Sequence, residues 1–284
     1  MSAEPLSSSP RCGVLGSPIA HSLSPTLHRA AYRALGLRWE YDAHHVTLDA
    51  LDAFMAGLDG GWRGLSVTMP LKVAVLRHCV EVDDAGAAVG AVNTLVRRAD
   101  GRWSGSNTDV AGFEAALAQA GTRTVTAAAV LGAGATAASA VSALGRLGAS
   151  AVHVLARSPS RAAQLRLVAD RAGVELLLHP IEPVTLPQVD VLVSTIPAEA
   201  QAAVAEPLAR AASTVFDVVY DPVETPLLAA ARRAGRIAIP GFELLLHQAA
   251  QQVELMTGCE RAPVDTMRAA GLETLRDRLR GLGS

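Results

Sequence analysis

A lysine and an aspartate stand at turns between predicted elements, where the pair could transfer a proton. Lys72 ends the segment SVTMPLK, which closes a short apolar strand and opens a helical pattern. Asp109 ends the segment SNTD, directly before the next helical pattern. An ammonium in the first turn of a helix opposes the helix dipole, so we interpret Lys72 as a candidate general acid or base. Asp109 is its candidate orienting carboxylate, although alone it would be an ordinary helix cap.

Two hydroxyls, those of Ser22 and Ser24, precede a helical pattern whose first residue is predicted to be Pro25. Backbone N–H groups and the dipole at a helix N-terminus favour an anion, so these hydroxyls could hold a small carboxylate. A second interpretation makes Ser24 the N-cap of the helix, which leaves Ser22 without a role.

A glycine-rich turn, GAGATA at residues 132–137, follows a predicted strand and opens a helix. Gly132 permits the tight turn, and Gly134 lets the backbone approach a pyrophosphate. The small side chain of Ala137 allows the helix to pack closely on the strand, so the helix N-terminus can face the phosphates. This context predicts a dinucleotide site.

The end of the next predicted strand indicates which dinucleotide binds. The segment LARSPSR contains Arg157 and Arg161 and no acidic residue. An acidic residue there would bind the ribose hydroxyl of NAD, whereas arginines make charge-assisted, bidentate contacts to a 2′-phosphate. We therefore predict NADP (NADPH) rather than NAD; the alternative is that these arginines belong to an ordinary solvated loop.

The elements that must position these residues alternate between strand and helix. Apolar or alternating runs predict strands at residues 12–15, 39–46, 65–67, 91–96, 103–106, 126–131, 151–155, 189–194, 214–219 and 237–239. Helical spacing predicts helices near residues 25–35, 48–57, 71–79, 109–121, 134–147, 243–256 and 264–282. The strands from residue 126 onward are apolar on both faces, as in a parallel sheet covered by helices on either side.

This order predicts an α/β protein with two domains. Residues 1–10 are predicted to be a disordered tail, and residues 11–108 an N-terminal α/β domain. Residues 109–241 are predicted to form a Rossmann-type, doubly wound dinucleotide-binding domain. Residues 242–284 are predicted to be C-terminal helices that return to the first domain.

Composition excludes several classes of protein. Half of the 284 residues are hydrophobic and 18% are charged, which excludes disorder as the main state. A net charge of −2 lacks the basic footprint of a protein that binds nucleic acid or anionic lipid. Three widely separated cysteines, Cys12, Cys79 and Cys259, predict thiols in a reducing cytoplasm. The histidines show no metal-ligand spacing, so no metal is expected.

No membrane association is expected either. Residues 1–10 lack the basic start and apolar run of a secretory signal. Residues 124–145 are uncharged over about the length of a membrane span, but they consist largely of Ala, Gly, Ser and Thr. They are predicted to be a buried strand followed by a helix.

Eight motifs taken together resemble the shikimate dehydrogenase family from Cys12 to about Gly258. In chain order they are GSPIAHSLSP (residues 16–25), SVTMPLK (66–72), GAVNT (90–94), NTD (107–109), the turn at 132–137, the Arg157 loop, DVVYDP with TPLL (217–228) and GFELLLHQA (241–249).

The resemblance implies an N-terminal substrate domain and a reversible, NADPH-dependent reduction of 3-dehydroshikimate to shikimate, on the route to chorismate and the aromatic amino acids. It implies that Lys72 and Asp109 are the catalytic pair. Hydride delivery to a ketone leaves an alkoxide, which a positioned ammonium can stabilise and protonate.

The resemblance also implies the binding residues. The substrate carboxylate would contact Ser22 and Ser24, and the remaining substrate contacts would be Thr68, Asn93, Asp109, Tyr220 and Gln248. The cofactor would contact Gly132, Ala133, Gly134, Ala135 and Thr136 through its pyrophosphate, Arg157, Ser158 and Arg161 through its 2′-phosphate, and Gly241 near the nicotinamide.

Five positions depart from the commonest family pattern. Ser66 and Ala156 stand where asparagine is frequent, and Ala135 where glycine is frequent. Glu243 and Leu244 replace a frequent glycine and methionine. None of these changes removes a catalytic group, so we expect modest shifts in substrate and cofactor affinity.

Two other functions remain open at this stage. A quinate/shikimate dehydrogenase of broader specificity would carry the same motifs, because pocket shape decides whether quinate fits. A non-catalytic paralogue could sense a dinucleotide or a shikimate-like metabolite, although it would not need Lys72, Asp109 and Gln248 together. A monomer and a homodimer are both compatible with the sequence.

Overall fold

The computed structural model describes residues 9–157, 159–182 and 185–281, and for residues 159–164 it describes the backbone alone. Most of the predicted tail, residues 1–8, therefore lies outside the described residues. The chain divides into two compact units. The first unit comprises the described residues within Met1–Gly86, Ala91–Thr108 and Ala249–Ser284, and the second comprises Ala87–Gly90 and Asp109–Gln248.

The first unit is built on a mixed six-stranded sheet. Its strands are β1 (Arg11–Gly16), β2 (Glu40–His45), β3 (Trp62–Val67), β4 (Cys79–Val82), β5 (Thr94–Arg97) and β6 (Trp103–Ser106). They are arranged in the order β2-β1-β3-β5-β6-β4. β1 is parallel to β2 and β3, whereas β5 is antiparallel to both β3 and β6. The apolar run in β1 is buried because β1 lies inside the sheet, whereas β2 is largely exposed because it lies at an edge.

The second unit is built on a parallel six-stranded sheet of Rossmann type. Its strands are β7 (Ala127–Leu131), β8 (Ala151–Leu155), β9 (Glu175–His179), β10 (Val189–Ser194), β11 (Ala212–Asp217) and β12 (Ile237–Ile239). They are arranged in the order β12-β11-β10-β7-β8-β9. The pairings along this sheet are parallel, which confirms the predicted α/β fold class.

Helices flank the strands in both units. They are α1 (Ser24–Ala34), α2 (Leu51–Ala56), α3 (Asp84–Val89), α4 (Thr108–Gln119), α5 (Ala135–Arg146), α6 (Pro159–Ala172), α7 (Ala205–Ala211), α8 (Pro226–Arg233), α9 (Gly241–Thr257) and α10 (Val264–Leu279). In the first unit α10 packs against α1. Residues 124–145 form β7 and most of α5, as predicted, and no described helix is long and apolar enough to cross a bilayer.

The predicted helix at residues 71–79 is wrong. A five-residue 3₁₀ helix, Ala74–His78, leads directly into β4. Leu71 and Val75 are both fully buried at helical spacing, which imitates an amphipathic helix. The segment from Cys79 instead pairs with β6, a long-range partner that local periodicity does not reveal.

Candidate functional site

The candidate substrate residues of the first unit gather at one edge of its sheet. β1 and β3 are parallel and end at this edge, and antiparallel β5 begins there, with Ser66 of β3 opposite Thr94 of β5. Thr68 therefore follows β3 at the edge where Asn93 precedes β5. The topology brings together two groups that lie far apart in the sequence.

The loops after β1 and β3 are tied to each other. The backbone N–H of Thr68 donates to Leu15 O at 2.9 Å, and that of Ser17 donates to Met69 O at 3.0 Å. A Cβ atom on Gly16 would lie only 2.4 Å from Thr68 Cγ2. The loop after β1, which leads to Ser22 and Ser24, can therefore lie against the loop that contains Thr68 only because residue 16 is a glycine.

Ser22 and Ser24 stand at the start of α1, but their expected capping roles are reversed. The N-cap is Leu23, which makes no side-chain cap, and Ser24 is already helical and buried. The backbone N–H of Ser24 donates to Ser22 Oγ at 3.3 Å. The predicted N-cap at Ser24 is therefore wrong by one residue, since Leu23 is the N-cap, and Ser22 is the side chain that accepts a hydrogen bond from the helix start.

Lys72 is half-buried in the turn between β3 and the 3₁₀ helix. The backbone of this turn is fixed, since Leu71 N–H donates to Thr68 O and Val92 N–H donates to Lys72 O, both at 2.9 Å. Lys72 does not lie in the first turn of an α-helix, so the dipole argument that singled it out was wrong. The backbone of Lys72 is instead held by its hydrogen bond to Val92, in the segment that leads into Asn93.

Asn93 is buried with its amide oriented by its neighbours. Its Oδ1 accepts hydrogen bonds from Thr108 N–H at 2.9 Å, Thr108 Oγ1 at 3.0 Å and Thr94 Oγ1 at 2.9 Å. Three donors on the oxygen identify the other end of the amide as Nδ2, a donor. In the substrate role predicted for Asn93, the group it offers would therefore be a donor.

A buried polar cluster behind Asn93 was missed by sequence reasoning. Tyr41 OH donates to Ser66 Oγ at 2.6 Å, and Ser66 Oγ donates to Gln252 Oε1 at 2.7 Å. His28 Nε2 lies 3.3 Å from the same Oε1, and burial lowers the pKa of His28 to about 3. The available signal was Gln252 itself, a second glutamine one helical turn after Gln248.

The glycine turn of the second unit lies between β7 and α5. Gly132 has φ +117°, and a Cβ there would lie 2.2 Å from Thr195 Oγ1, so a side chain at this position is excluded. A Cβ on Gly134 would meet no atom within 4 Å, so space is open above the N-terminus of the helix. Ala137 is fully buried in the close contact expected of it. The turn has the shape that a pyrophosphate needs.

The candidate 2′-phosphate residues follow β8. Arg157 is exposed two residues after Leu155 ends the strand, and the intervening Ala156 N–H donates to His179 O at 3.2 Å. Ser158 lies outside the described residues, as does the side chain of Arg161. Their role in binding a 2′-phosphate stays a prediction.

The loop that carries Tyr220 is held by a buried carboxylate at the end of β11. Asp217 accepts hydrogen bonds from Thr225 Oγ1 at 2.6 Å and Gln201 Nε2 at 2.8 Å. Burial raises the pKa of Asp217, while these hydrogen bonds oppose the shift. A Cβ on Gly241 would lie 2.2 Å from Val218 O, so the start of α9 lies directly against this loop.

Asp109 and Gln248 are carried by two helices in close contact. Asp109 lies in the first turn of α4, and a Cβ on Gly112 of the same helix would lie 3.2 Å from Gln248 N on α9. Both Asp109 and Gln248 are buried, and Gln248 Nε2 donates to Leu245 O at 2.9 Å. Lys72 belongs to the first unit and Asp109 to the second, and their pairing stays a prediction.

Comparison with known families gives three matches that follow one another along the chain. Residues 14–95 match the shikimate dehydrogenase substrate binding domain, residues 114–218 match shikimate / quinate 5-dehydrogenase, and residues 241–270 match the shikimate 5′-dehydrogenase C-terminal domain. The first match includes Thr68, Lys72 and Asn93.

Individual proteins agree with these matches over nearly the full chain. Shikimate dehydrogenase (NADP(+)) of Synechococcus sp. (strain JA-3-3Ab) is 36% identical over 279 residues, covering 93% of each chain. The crystal structure of Mycobacterium tuberculosis shikimate dehydrogenase is 43% identical with a TM-score of 0.83, covering 93% of this chain and 99% of that one. Shikimate 5-dehydrogenase from Thermus thermophilus, solved in complex with NADP(H) and shikimate, is 32% identical with a TM-score of 0.79 and the same two coverages.

Proposed function

The chain belongs to the shikimate dehydrogenase family, and we propose that it catalyses the reversible, NADPH-dependent reduction of 3-dehydroshikimate to shikimate. The observation that supports this mechanism is the amino-acid type at position 72. Of the 25 basic residues in the chain, Lys72 is the only lysine, and all others are arginines. A guanidinium serves well as a fixed charge but does not release a proton in proteins, whereas an ammonium can do both. The single lysine of the chain therefore stands at the position that we propose transfers the proton.

In the proposed reaction Lys72 stabilises the alkoxide that forms at the substrate ketone and donates the proton to it. Asp109 orients Lys72. Ser22 and Ser24 at the start of α1 hold the substrate carboxylate, since a helix N-terminus favours an anion. The ring hydroxyls contact Thr68, Asn93, Asp109 and Gln248, with Tyr220 bordering the substrate.

The dinucleotide supplies the hydride when it is bound. The residues present fit it, because Gly132 can only be glycine and the space above Gly134 is open. Ala133, Ala135 and Thr136 complete the turn around the pyrophosphate, Arg157, Ser158 and Arg161 bind the 2′-phosphate, and Gly241 lies near the nicotinamide. The segments proposed for these tasks are residues 11–108 for the substrate and 109–241 for the cofactor, with residues 242–284 returning to the first. We place the enzyme in the cytoplasm, which suits its three free thiols.

The first test is the initial velocity of the purified chain with shikimate and with quinate, each against NADP⁺ and NAD⁺. We expect turnover with shikimate and NADP⁺ and little in the other three mixtures. Comparable turnover with quinate would favour the broader enzyme. Tight dinucleotide binding with no turnover in any mixture would contradict the proposal and favour a sensor.

The second test replaces the lysine. Lys72→Ala and Lys72→Arg should each lower kcat by about 10²- to 10⁴-fold with little change in the KM for shikimate, because neither side chain can transfer the proton. The matched control is Arg77→Ala, which removes an exposed cation from the same segment, where it is paired with Asp52. An unchanged kcat in Lys72→Arg would remove proton transfer by this residue from the mechanism.

The single lysine also permits a chemical test on the unmodified chain. Reductive methylation modifies lysine side chains and the N-terminal amine, so Lys72 is the one side chain it can reach. Because the side chain is half-buried at the proposed site, we expect shikimate to slow this methylation. Methylation at the same rate with and without shikimate would contradict the placement of the substrate.

A further inference from the structure

Gln252 on α9 uses both ends of its amide inside the first unit. The side chain is 1% exposed. Its Oε1 accepts from Ser66 Oγ at 2.7 Å and lies 3.3 Å from His28 Nε2. Its Nε2 donates to Asn93 O and to Thr94 Oγ1, both at 3.1 Å. The side chain therefore links α1, β3 and the start of β5 at a single point.

The direction of these hydrogen bonds is determined by the backbone carbonyl of Asn93. A backbone carbonyl can only accept, so the amide end facing Asn93 O must be Nε2. Thr94 Oγ1 accepts from this Nε2, and its own proton is donated to Asn93 Oδ1 at 2.9 Å. The Thr94 hydroxyl thus connects the donor end of Gln252 to the oxygen of the Asn93 amide, and we call this chain of two hydrogen bonds the relay. The relay reinforces the orientation that the backbone N–H of Thr108 also favours, in which Nδ2 is the donor end of Asn93 and suits a ligand's oxygen.

We propose that Gln252 is a positioning residue for substrate binding. Through the Thr94 hydroxyl, Gln252 helps to orient the amide of Asn93, which in turn contacts the substrate. This inference rests on the proposed function, since it takes Asn93 as a substrate contact. An apolar side chain would fill the same buried space without having to satisfy two amide ends. A buried glutamine is costly unless it is fully paired, and here the pairing points toward the residue proposed to bind the substrate.

The test compares Gln252→Met with Gln251→Met. Methionine keeps the length of the side chain and removes its donor and acceptor, and Gln251 is the neighbouring glutamine on the same helix. We expect Gln252→Met to raise the KM for shikimate about tenfold, the loss of about one net hydrogen bond, with kcat and the KM for NADP⁺ changed by no more than about threefold. Gln251→Met should leave all three constants near those of the wild type.

A merely structural role gives a different result. It predicts that Gln252→Met lowers the melting temperature while the KM for shikimate stays within about twofold of the wild type, and that result would overturn the inference. If Gln252→Met does not fold, Thr94→Val tests the same relay, because it removes the intervening hydroxyl at nearly constant volume. Thr94→Val should raise the same KM, and an unchanged KM there would overturn the inference equally.

The two proposals fail in different ways. No turnover of shikimate by the wild type would overturn the proposed function together with this inference. An active wild type with an unchanged KM in both Gln252→Met and Thr94→Val would overturn the inference alone. In the double variant the two effects on KM should not add, because both substitutions break one relay.

Discussion

Acid should destabilise the first unit through His28. This side chain is 0% exposed, and its ring stacks on that of Tyr41 with centroids 4.0 Å apart. Burial lowers the pKa of His28 from 6.5 to about 3, while the hydrogen bond to Gln252 opposes the shift. The folded protein therefore keeps this ring neutral at a pH where the unfolded chain has already bound a proton.

The sign and size of the effect follow from this difference in pKa. Because the folded pKa is the lower one, the stabilisation is fully present above pH 6.5 and is lost as the pH falls from 6.5 toward 3. At about pH 4.5 the unfolded state has gained roughly two pKa units of proton binding, which corresponds to about 3 kcal/mol of lost stability. That is a large part of the roughly 5–15 kcal/mol typical of a folded domain.

Urea unfolding followed by tryptophan fluorescence measures this loss in the right part of the chain. All three tryptophans, Trp39, Trp62 and Trp103, belong to the first unit. Between about pH 7 and about pH 4.5 the wild type should lose about 2–3 kcal/mol more than His28→Phe, which keeps an aromatic ring but cannot titrate.

The control variant is His21→Gln, which removes an exposed histidine from the same unit. It should retain the full pH dependence of the wild type. If the stability curves of the wild type and His28→Phe run parallel down to about pH 4.5, the buried neutral histidine is not the cause and the reasoning is refuted.

Three glycine substitutions give further predictions, each with its own measurement. Gly132→Ala should lower the melting temperature and abolish NADP⁺ binding in calorimetry, since its Cβ would lie 2.2 Å from a side-chain oxygen at φ +117°. Gly134→Ala should fold with an unchanged melting temperature, because its Cβ would meet no protein atom within 4 Å. It should bind NADP⁺ more weakly, because the Cβ would occupy space in which the pyrophosphate is proposed to lie. An unchanged affinity for NADP⁺ would contradict that placement. Gly112→Ala should raise the KM for shikimate several-fold without loss of stability, because alanine favours the helix by about 1 kcal/mol while its Cβ presses on Gln248. Ala111→Ser is the matched control, and equal KM values in the two variants would refute the coupling.

Local sequence patterns were sufficient to predict an element when its structure depended mainly on its own residues. Runs that are apolar on both faces predicted β7, β10 and β11, because central strands of a parallel sheet have no polar face. Gly36 and Gly148, which follow the predicted helices at residues 25–35 and 134–147, lie at positive φ, the usual conformation of a glycine just after a helix. The predictions failed where a distant partner decided the outcome, as it did for β4, whose pairing with β6 converted a helix-like pattern into a strand.

In the candidate site too, local motifs identified the residues but not their arrangement, which depends on residues far away in the sequence. Motifs indicate which groups are present, but the direction of a hydrogen bond depends on every neighbour of both atoms. Asn93 could be named from its motif, whereas the orientation of its amide depends on Thr94, Thr108 and Gln252, the last of which lies 159 residues away along the chain. Whether Asn93 offers a donor or an acceptor to a ligand is therefore a property of the folded unit. For a polyhydroxylated substrate this choice determines which lone pairs and protons can be matched, so we expect Gln252 to affect substrate binding without touching the substrate.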